Sequence, residues 1–493
     1  MGRLSGLCFI VHPKSFVMSN AGFVESARPV FLFCHLAVFV FASLVFFCDD
    51  SYSKTWSVNP GDSISDVIEL CEEGDTIILS KGVYAQRFVV DKPLSITGKD
   101  FPVIDGGGSG TIIKIAAPNT VIRGLRIRGS GTSLSVEDSG VELENASNSV
   151  VENNILEDVL FGIYLKNSPG TLILNNRIYG KNLPSPERGD GIRLWYSSHS
   201  RVIGNTVSGT RDLVIWWSSN TLIKKNRVEN GRYGLHYMYS DNNVFEDNLF
   251  IGNAVGGFLM YSGNIQFFRN VFTKNKGMAG GYGIGFKDLD DVHAEDNLFV
   301  DNRVGIYMDN SPHLVDSWNE LSNNVIAYND IGISMMPSIE RNKILGNSFI
   351  ENYEQVEVRG GGVLRGNRWN TESRGNYWSD YKGFDENNDG IGDIPYVSEK
   401  LFEQLMNRNE ALRIFIYSPV AKAIELASEA FPVIKPDSKL VDNFPLLSPV
   451  IPERPGVDTR KRRLSFLVVS VLLLFTPIIS YVAIVRRKDV GEC

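Results

Sequence analysis

The sequence predicts an all-β solenoid, a right-handed parallel β-helix, with a helical segment and a transmembrane helix after it. Three observations predict it. An asparagine returns about every 22 residues, at Asn154, Asn176, Asn205, Asn226, Asn248, Asn270, Asn297, Asn324, Asn347 and Asn367. Glycines keep the same register at Gly162, Gly191, Gly234, Gly256, Gly283, Gly305 and Gly332, with Asp212 in that slot in one coil. After each comes a short run that alternates apolar and variable residues, as in GIYLKNS and GIYMDNS. Period two between turns means strands, and a fixed period of this length means stacked coils that bury together what one coil cannot.

The elements follow in chain order. Residues 1–50 hold a mostly apolar run from about Pro29 to Phe47 with Arg28 before it, read as a signal peptide or an N-terminal anchor. The solenoid is expected over residues 56–396. Its first coils are edge coils, in which Leu125 stands where later coils carry asparagine, and LPSPERGD is an insertion. Asparagines stacked between coils are expected to bond their amides along the axis and to adopt the left-handed turn conformation. Glycine is expected for its cheap positive φ. Residues 397–455 form a helical and proline-rich docking segment. Its second helix should begin at Ser418 as cap and Pro419 in the first turn, and stop at Pro432. Residues 464–485 are apolar for long enough to span a bilayer, with basic residues on both sides.

Composition excludes some functions. A net charge of −8 over 493 residues offers no overall basic face for nucleic acid. Of the five cysteines only Cys71 falls in the folded region, so no disulfide framework exists there and Cys71 is read as a buried small hydrophobe.

Alternation assigns the outward side chains. One column reads Lys166, Trp195, Trp216, Met238, Met260, Lys287, Asp309 and Met336. Its neighbour reads Tyr164, Arg193, Val214, His236, Phe258, Gly285, Tyr307 and Ser334. The middle coils therefore carry an exposed apolar patch with Trp195, Trp216 and Phe258 as candidate partner-binding residues. His236, Met238 and Met260 combine imidazole with thioether sulfur, a set suited to Cu(I). Packing beneath a loop or against another protein accounts for the same residues. DENNDGIGD places Asp385, Asn387, Asp389, the Ile391 carbonyl and Asp393 at the ligand positions of a calcium loop, although Tyr396 stands where the closing glutamate belongs. A capping turn without metal is the other reading.

The alternative function for such a fold is a carbohydrate-active enzyme: a polysaccharide lyase, hydrolase or epimerase. That needs clustered outward carboxylates or a base. The outward charges are dispersed among Arg193, Lys287 and Asp309; Asp190, Asp212 and Arg232 are candidates to lie along one edge, and solvated turn charges explain them as well. No catalytic residue is assigned.

GDGIRLWYS, RYGLHYMYSDNN, GYGIGFKDLDD, VGIYMDNSP, EQVEVRGGG and GNYWSDYKGFDENNDGIGDIPY resemble the NosD family of β-helix proteins, and ALRIFIYSPVAKAIELASEAFPVIKP is similar to its helical C-terminal region. The resemblance runs from about Trp56 to Pro449. It implies a non-enzymatic, copper-binding accessory protein outside the cytoplasm. Its partners would be the permease and ATPase of an ABC transporter and nitrous oxide reductase, whose copper–sulfur cluster it would help to assemble, with a copper chaperone as a further candidate. The C-terminal membrane helix departs from the family's soluble form and implies an anchored variant at the extracytoplasmic face of the cell membrane.

Overall fold

Each coil of the chain has three faces. In the computed structural model residues 53–452 are described, apart from 279, 399 and 432–437. The first face carries the strands that follow the glycine column, among them Phe161–Lys166, Ile192–Trp195, Asp212–Trp216 and Tyr233–Met238. Short strands such as Leu172–Leu174 and Leu222–Lys224 make the second face, and Thr206–Ser208 and Arg227–Glu229 belong to the third. Gly257–Phe268 and Tyr282–Glu295 run through the corner and serve the first two faces at once. Every pairing between coils is parallel. The third face stacks 13 strands from Val83–Tyr84 to Tyr377–Trp378. There are thus more coils than the ten asparagines mark, because the edge coils lack one.

The inward side chains form one column. Leu165, Leu194, Ile215, Tyr237 and Leu259 are successive partners and fully buried. Phenylalanines stack from coil to coil, Phe245 on Phe267 at 4.7 Å and Phe250 on Phe272 at 4.8 Å between ring centroids, which is the spacing of neighbouring strands. Cys71 is buried, as expected.

The asparagine column forms a ladder. Each side-chain oxygen accepts the backbone N–H and the amide of the asparagine one coil earlier, as Asn226 does from Asn205 at 2.9 and 3.0 Å. Leu125 holds the first rung, its N–H donating to Asn154. Two details differ from expectation. The ladder ends at Asn376, whereas Asn367 belongs to a second ladder with Asn342. The left-handed residue is the one before each ladder asparagine, as in Asn153, Lys225, Asp247 and Arg269, all with φ between 53 and 56°. The sequence hid further ladders, of asparagines from Asn253 to Asn352 and of serines from Ser168 to Ser262.

The glycine column is not there for the expected positive φ, which none of Gly162, Gly191, Gly234, Gly256, Gly283, Gly305 and Gly332 adopts. A Cβ at Gly234, Gly256 or Gly305 would lie 2.3–2.6 Å from the carbonyl oxygen of the following coil's residue. The backbones simply approach too closely for a side chain.

The ends are closed differently. Helix Ile64–Leu70, capped by Ser63, lies near the first coils. At the other end parallel stacking stops at Trp378, and Tyr396–Val397 pairs antiparallel with Val441–Asp442. Buried Asp442 accepts from the Asn376 N–H at 2.7 Å and from Trp378 Nε1 at 2.9 Å, terminating the ladder. Helices Leu401–Arg408 and Pro419–Ala430 follow the expected order, with Ser418 at the N-cap of the second. The first is held by Lys439, whose Nζ lies 2.6 Å from both Glu354 and Glu403, and the second meets the first through Glu425, which accepts the Phe402 N–H. No helix among the described residues is long and apolar enough to cross a membrane. The leader and residues 464–485 lie outside the described residues.

Candidate functional site

Strand register builds the site, and it is the register expected. Lys166, Trp195, Trp216, Met238 and Met260 are successive partners, then Lys287 and Asp309. Tyr164, Arg193, Val214, His236, Phe258, Gly285, Tyr307 and Ser334 form the second column. The expected open apolar patch is not what these residues make. Trp195, Trp216, His236, Met238, Phe258 and Met260 are half-buried, because the rings pack on one another. Trp195 and Trp216 centroids are 5.7 Å apart, Trp216 meets His236 edge-on at 4.9 Å, and Phe258 lies 6.1 Å from Tyr282. The Arg193 guanidinium sits over Tyr164, Trp195 and Trp216 at 4.8–5.3 Å.

What is exposed in three of these coils is the next position along the strand, at Tyr196, Tyr239 and Tyr261, with Trp217 half-buried in the same row. Tyr196, Trp217, Tyr239 and Tyr261 all have φ of 48–55°, unusual for bulky side chains, and stack at 5.2–5.3 Å along the axis. Sequence reasoning missed this ladder, although an aromatic after each of Trp195, Trp216, Met238 and Met260 was there to be read.

The larger correction concerns charge. Asp190 and Asp212 are 1% exposed rather than solvated. Asp190 pairs with Arg211 at 3.0 Å and lies 3.7 Å from Arg193. Asp212 takes Arg232 on both oxygens, at 3.1 and 2.5 Å, the Tyr233 N–H at 3.1 Å, and His236 Nδ1 at 3.2 Å. Burial pushes the Asp190 carboxyl up, further than Arg211 draws it back, and the charge on Asp212 adds to the rise. Burial acts on Asp212 too, but hydrogen bonds from His236 and Arg232 outweigh it and hold its carboxyl below the usual range. The signal in the sequence was an aspartate in the glycine slot. Glu137, likewise missed, reaches across from the preceding turn to Arg193 at 3.1 Å and Lys166 at 3.2 Å.

The donor set can be tested for a metal. Among the described residues no three His, Cys, Asp or Glu come together as a metal site, so any ion here would rely on sulfur. Met238 and Met260 are direct partners on adjacent coils, and His236 shares a strand and a face with Met238. One imidazole backed by a carboxylate, beside two thioethers, fits Cu(I). The 385–393 loop is different. Asp385 accepts the N–H groups of Asp389 and Gly390, Asn387 that of Asp389, Asp389 that of Ile391, and Asp393 that of Glu386. The loop is closed by its own hydrogen bonds.

Comparisons with known proteins agree with this fold. A family profile described as periplasmic copper-binding protein (NosD) matches residues 174–383, and one described as right handed β-helix region matches residues 103–207. The chain is 32% identical over 428 residues to the probable ABC transporter binding protein NosD of Pseudomonas aeruginosa, covering 76% of this chain and 89% of the relative. It is 30% identical over 421 residues to the protein of the same description in Stutzerimonas stutzeri, covering 75% of this chain and 86% of the relative. A solved structure, the A-module of a mannuronan C-5 epimerase from Azotobacter vinelandii, has a TM-score of 0.48 at 14% identity over 61% of this chain and 92% of that one, and nothing about activity follows from it. Identity sustained along nearly the whole length of the relatives shows that this chain belongs to the NosD family.

Proposed function

We propose that this chain is an extracytoplasmic accessory factor that handles copper during assembly of the copper–sulfur cluster of nitrous oxide reductase, together with the permease and ATPase of an ABC transporter. The reading is supported by family membership and by the description of the two relatives as ABC transporter binding proteins. A single observation carries the copper part. His236, held through Nδ1 by buried Asp212, stands on the same face as the adjacent Met238 and Met260. Copper would be cargo, held by soft ligands that release it readily to a partner. The same face would receive that partner, with Trp195, Trp216 and Phe258 as its half-buried floor and the tyrosine edge beside it. Residues 1–50 would direct export, residues 397–455 would dock, and residues 464–485 would anchor the chain.

The test is Cu(I) affinity, measured by competition with a chromophoric chelator. The intact protein should bind one Cu(I), and the double variant Met238→Ala, Met260→Ala should bind at least about tenfold more weakly. Equal affinity in both would remove the site.

A further inference from the structure

Glycine begins the first-face strand in coil after coil because a Cβ at Gly162, Gly234, Gly256, Gly283, Gly305 or Gly332 would lie 2.2–2.6 Å from a carbonyl oxygen of the next coil. Asp212 breaks that rule. The pairing of its strand with Tyr233–Met238 shifts register between Asp212 and Val214, whereas the pairing of Ile192–Trp195 with Asp212–Trp216 stays regular. Gln355 also stands in that slot, but on a strand with no later strand paired to it on this face; Asp212 departs in the middle of the stack, and such departures gather at functional positions.

The aspartate is 1% exposed and its oxygens are occupied. Oδ1 accepts from Arg232 Nε and the Tyr233 N–H, and Oδ2 accepts from Arg232 Nη2 and faces His236 Nδ1. An ionised carboxylate only accepts hydrogen bonds. Nδ1 must therefore carry the proton, which leaves Nε2 as the nitrogen with the free lone pair. The imidazole remains 15% exposed, so that nitrogen can be reached from the face. Arg232 meanwhile grips the carboxylate on both oxygens, in the geometry that guanidinium and carboxylate share, and keeps it turned away from any ion.

Resting on the copper reading above, we infer that Asp212 is a positioning residue. It locks His236 in the Nδ1–H tautomer, presenting Nε2 on the face shared by Met238 and Met260, and Arg232 prevents Asp212 from becoming a ligand itself. The site is thereby reduced to one imidazole nitrogen and thioether sulfur. With no oxygen ligand it favours Cu(I) over harder divalent ions such as Zn(II), which a carboxylate in the set would admit.

The experiment uses the full-length protein with ¹⁵N-labelled histidine. In the unsubstituted protein the His236 nitrogens should show Nδ1 protonated and Nε2 not; the opposite tautomer would overturn the inference without any variant. Asp212→Asn should lose the fixed tautomer and bind Cu(I) about ten- to hundredfold more weakly, with its melting curve confirming that it folds. Arg232→Met frees a carboxylate edge and should raise Zn(II) affinity about tenfold, by supplying the oxygen ligand that such ions prefer. Unchanged Zn(II) binding would overturn the exclusion of Asp212 from the ligand set. His236→Ala separates the two readings. If it binds Cu(I) as tightly as the unsubstituted protein, the copper site itself falls and the inference falls with it. If His236→Ala loses binding while Asp212→Asn keeps both affinity and tautomer, the positioning role alone is overturned.

Discussion

Asn226 shows what a single residue does in this protein. Its side-chain oxygen accepts two hydrogen bonds from Asn205, and its amide donates to the Val202 carbonyl at 2.8 Å and to Asn248 at 3.1 Å. All of this lies in the dry interior, where an unmet polar group costs about 1–3 kcal/mol. Asn226→Ala takes the acceptor from the buried Asn205 N–H and removes one bond each from the Asn205 amide, which keeps Ile173 and Ile203, and from the Val202 carbonyl, so chemical denaturation should show a loss of about 1–3 kcal/mol. A loss below about 1 kcal/mol would mean that the ladder is ornamental. The period identified this asparagine directly. It did not reveal that the preceding residue, Lys225, takes the left-handed conformation with φ of 55°. Recurrence reports that a side chain is needed at a position, whereas the backbone angle beside it depends on the path of the whole turn.

At the scale of the strand, the close approach of coils makes Gly256→Ala a sharp probe. The added methyl would meet the Gly283 carbonyl oxygen at 2.3 Å, a backbone atom that cannot swing aside. The coils must part, and overpacking of this kind costs about 1–3 kcal/mol. Gly209→Ala makes a useful contrast, because nothing lies within 4 Å of its Cβ and only its φ of 67° opposes the change, at about 1–2 kcal/mol. Thermal melts should therefore rank Gly256→Ala as at least as damaging, with peptide exchange rising at neighbouring coils for that variant alone. For the 385–393 loop, closure by hydrogen bonds from its own N–H groups to its side chains predicts that excess calcium and then a chelator leave the melting temperature unchanged; a rise with calcium would support the calcium reading. The residue types of that loop were legible, but whether they turn inward on an ion or outward onto their own N–H groups is set by the local fold.

At the scale of the molecule, the solenoid is open-ended and needs closure, because its terminal coils would otherwise expose unpaired backbone. Lys439 fastens the closing segment. Its side chain is 6% exposed, between Glu354 at 0% and Glu403 at 4%. Burial opposes its charge, but the carboxylates of Glu403 and Glu354 outweigh that and hold its pKa above the ordinary lysine value. A base raised in this way contributes stability that is complete below its unfolded pKa, about 10.4, and is lost as pH rises through the higher folded value. Melting should therefore hold steady toward about pH 10 and fall above it. Lys439→Met removes the charge that lies between buried Glu354 and Glu403, leaving Lys400 at 3.4 Å from Glu403, which should cost about 3–5 kcal/mol and release the helices Leu401–Arg408 and Pro419–Ala430 to proteolysis while the middle coils persist. If the helices stayed protected in that variant, the clamp would lie elsewhere.

The sequence by itself determined the repeat, the register and therefore which side chains leave the core. Period two and a fixed coil length are local properties, and every partner in the two outward columns from Lys166 to Lys287 and from Tyr164 to Tyr307 could be read from them. Only the tertiary structure decided what those side chains do once outside. It buried Asp190 and Asp212, closed the tryptophans over Arg193, and set Asp212 behind His236 in the next coil. Alternation fixes the direction of a side chain, but burial and pairing depend on residues one or more coils away, brought near by stacking and by the turns that lean over the face. The face proposed to handle copper was thus visible as a column of residues, and the contact of Asp212 with His236 was visible only in three dimensions.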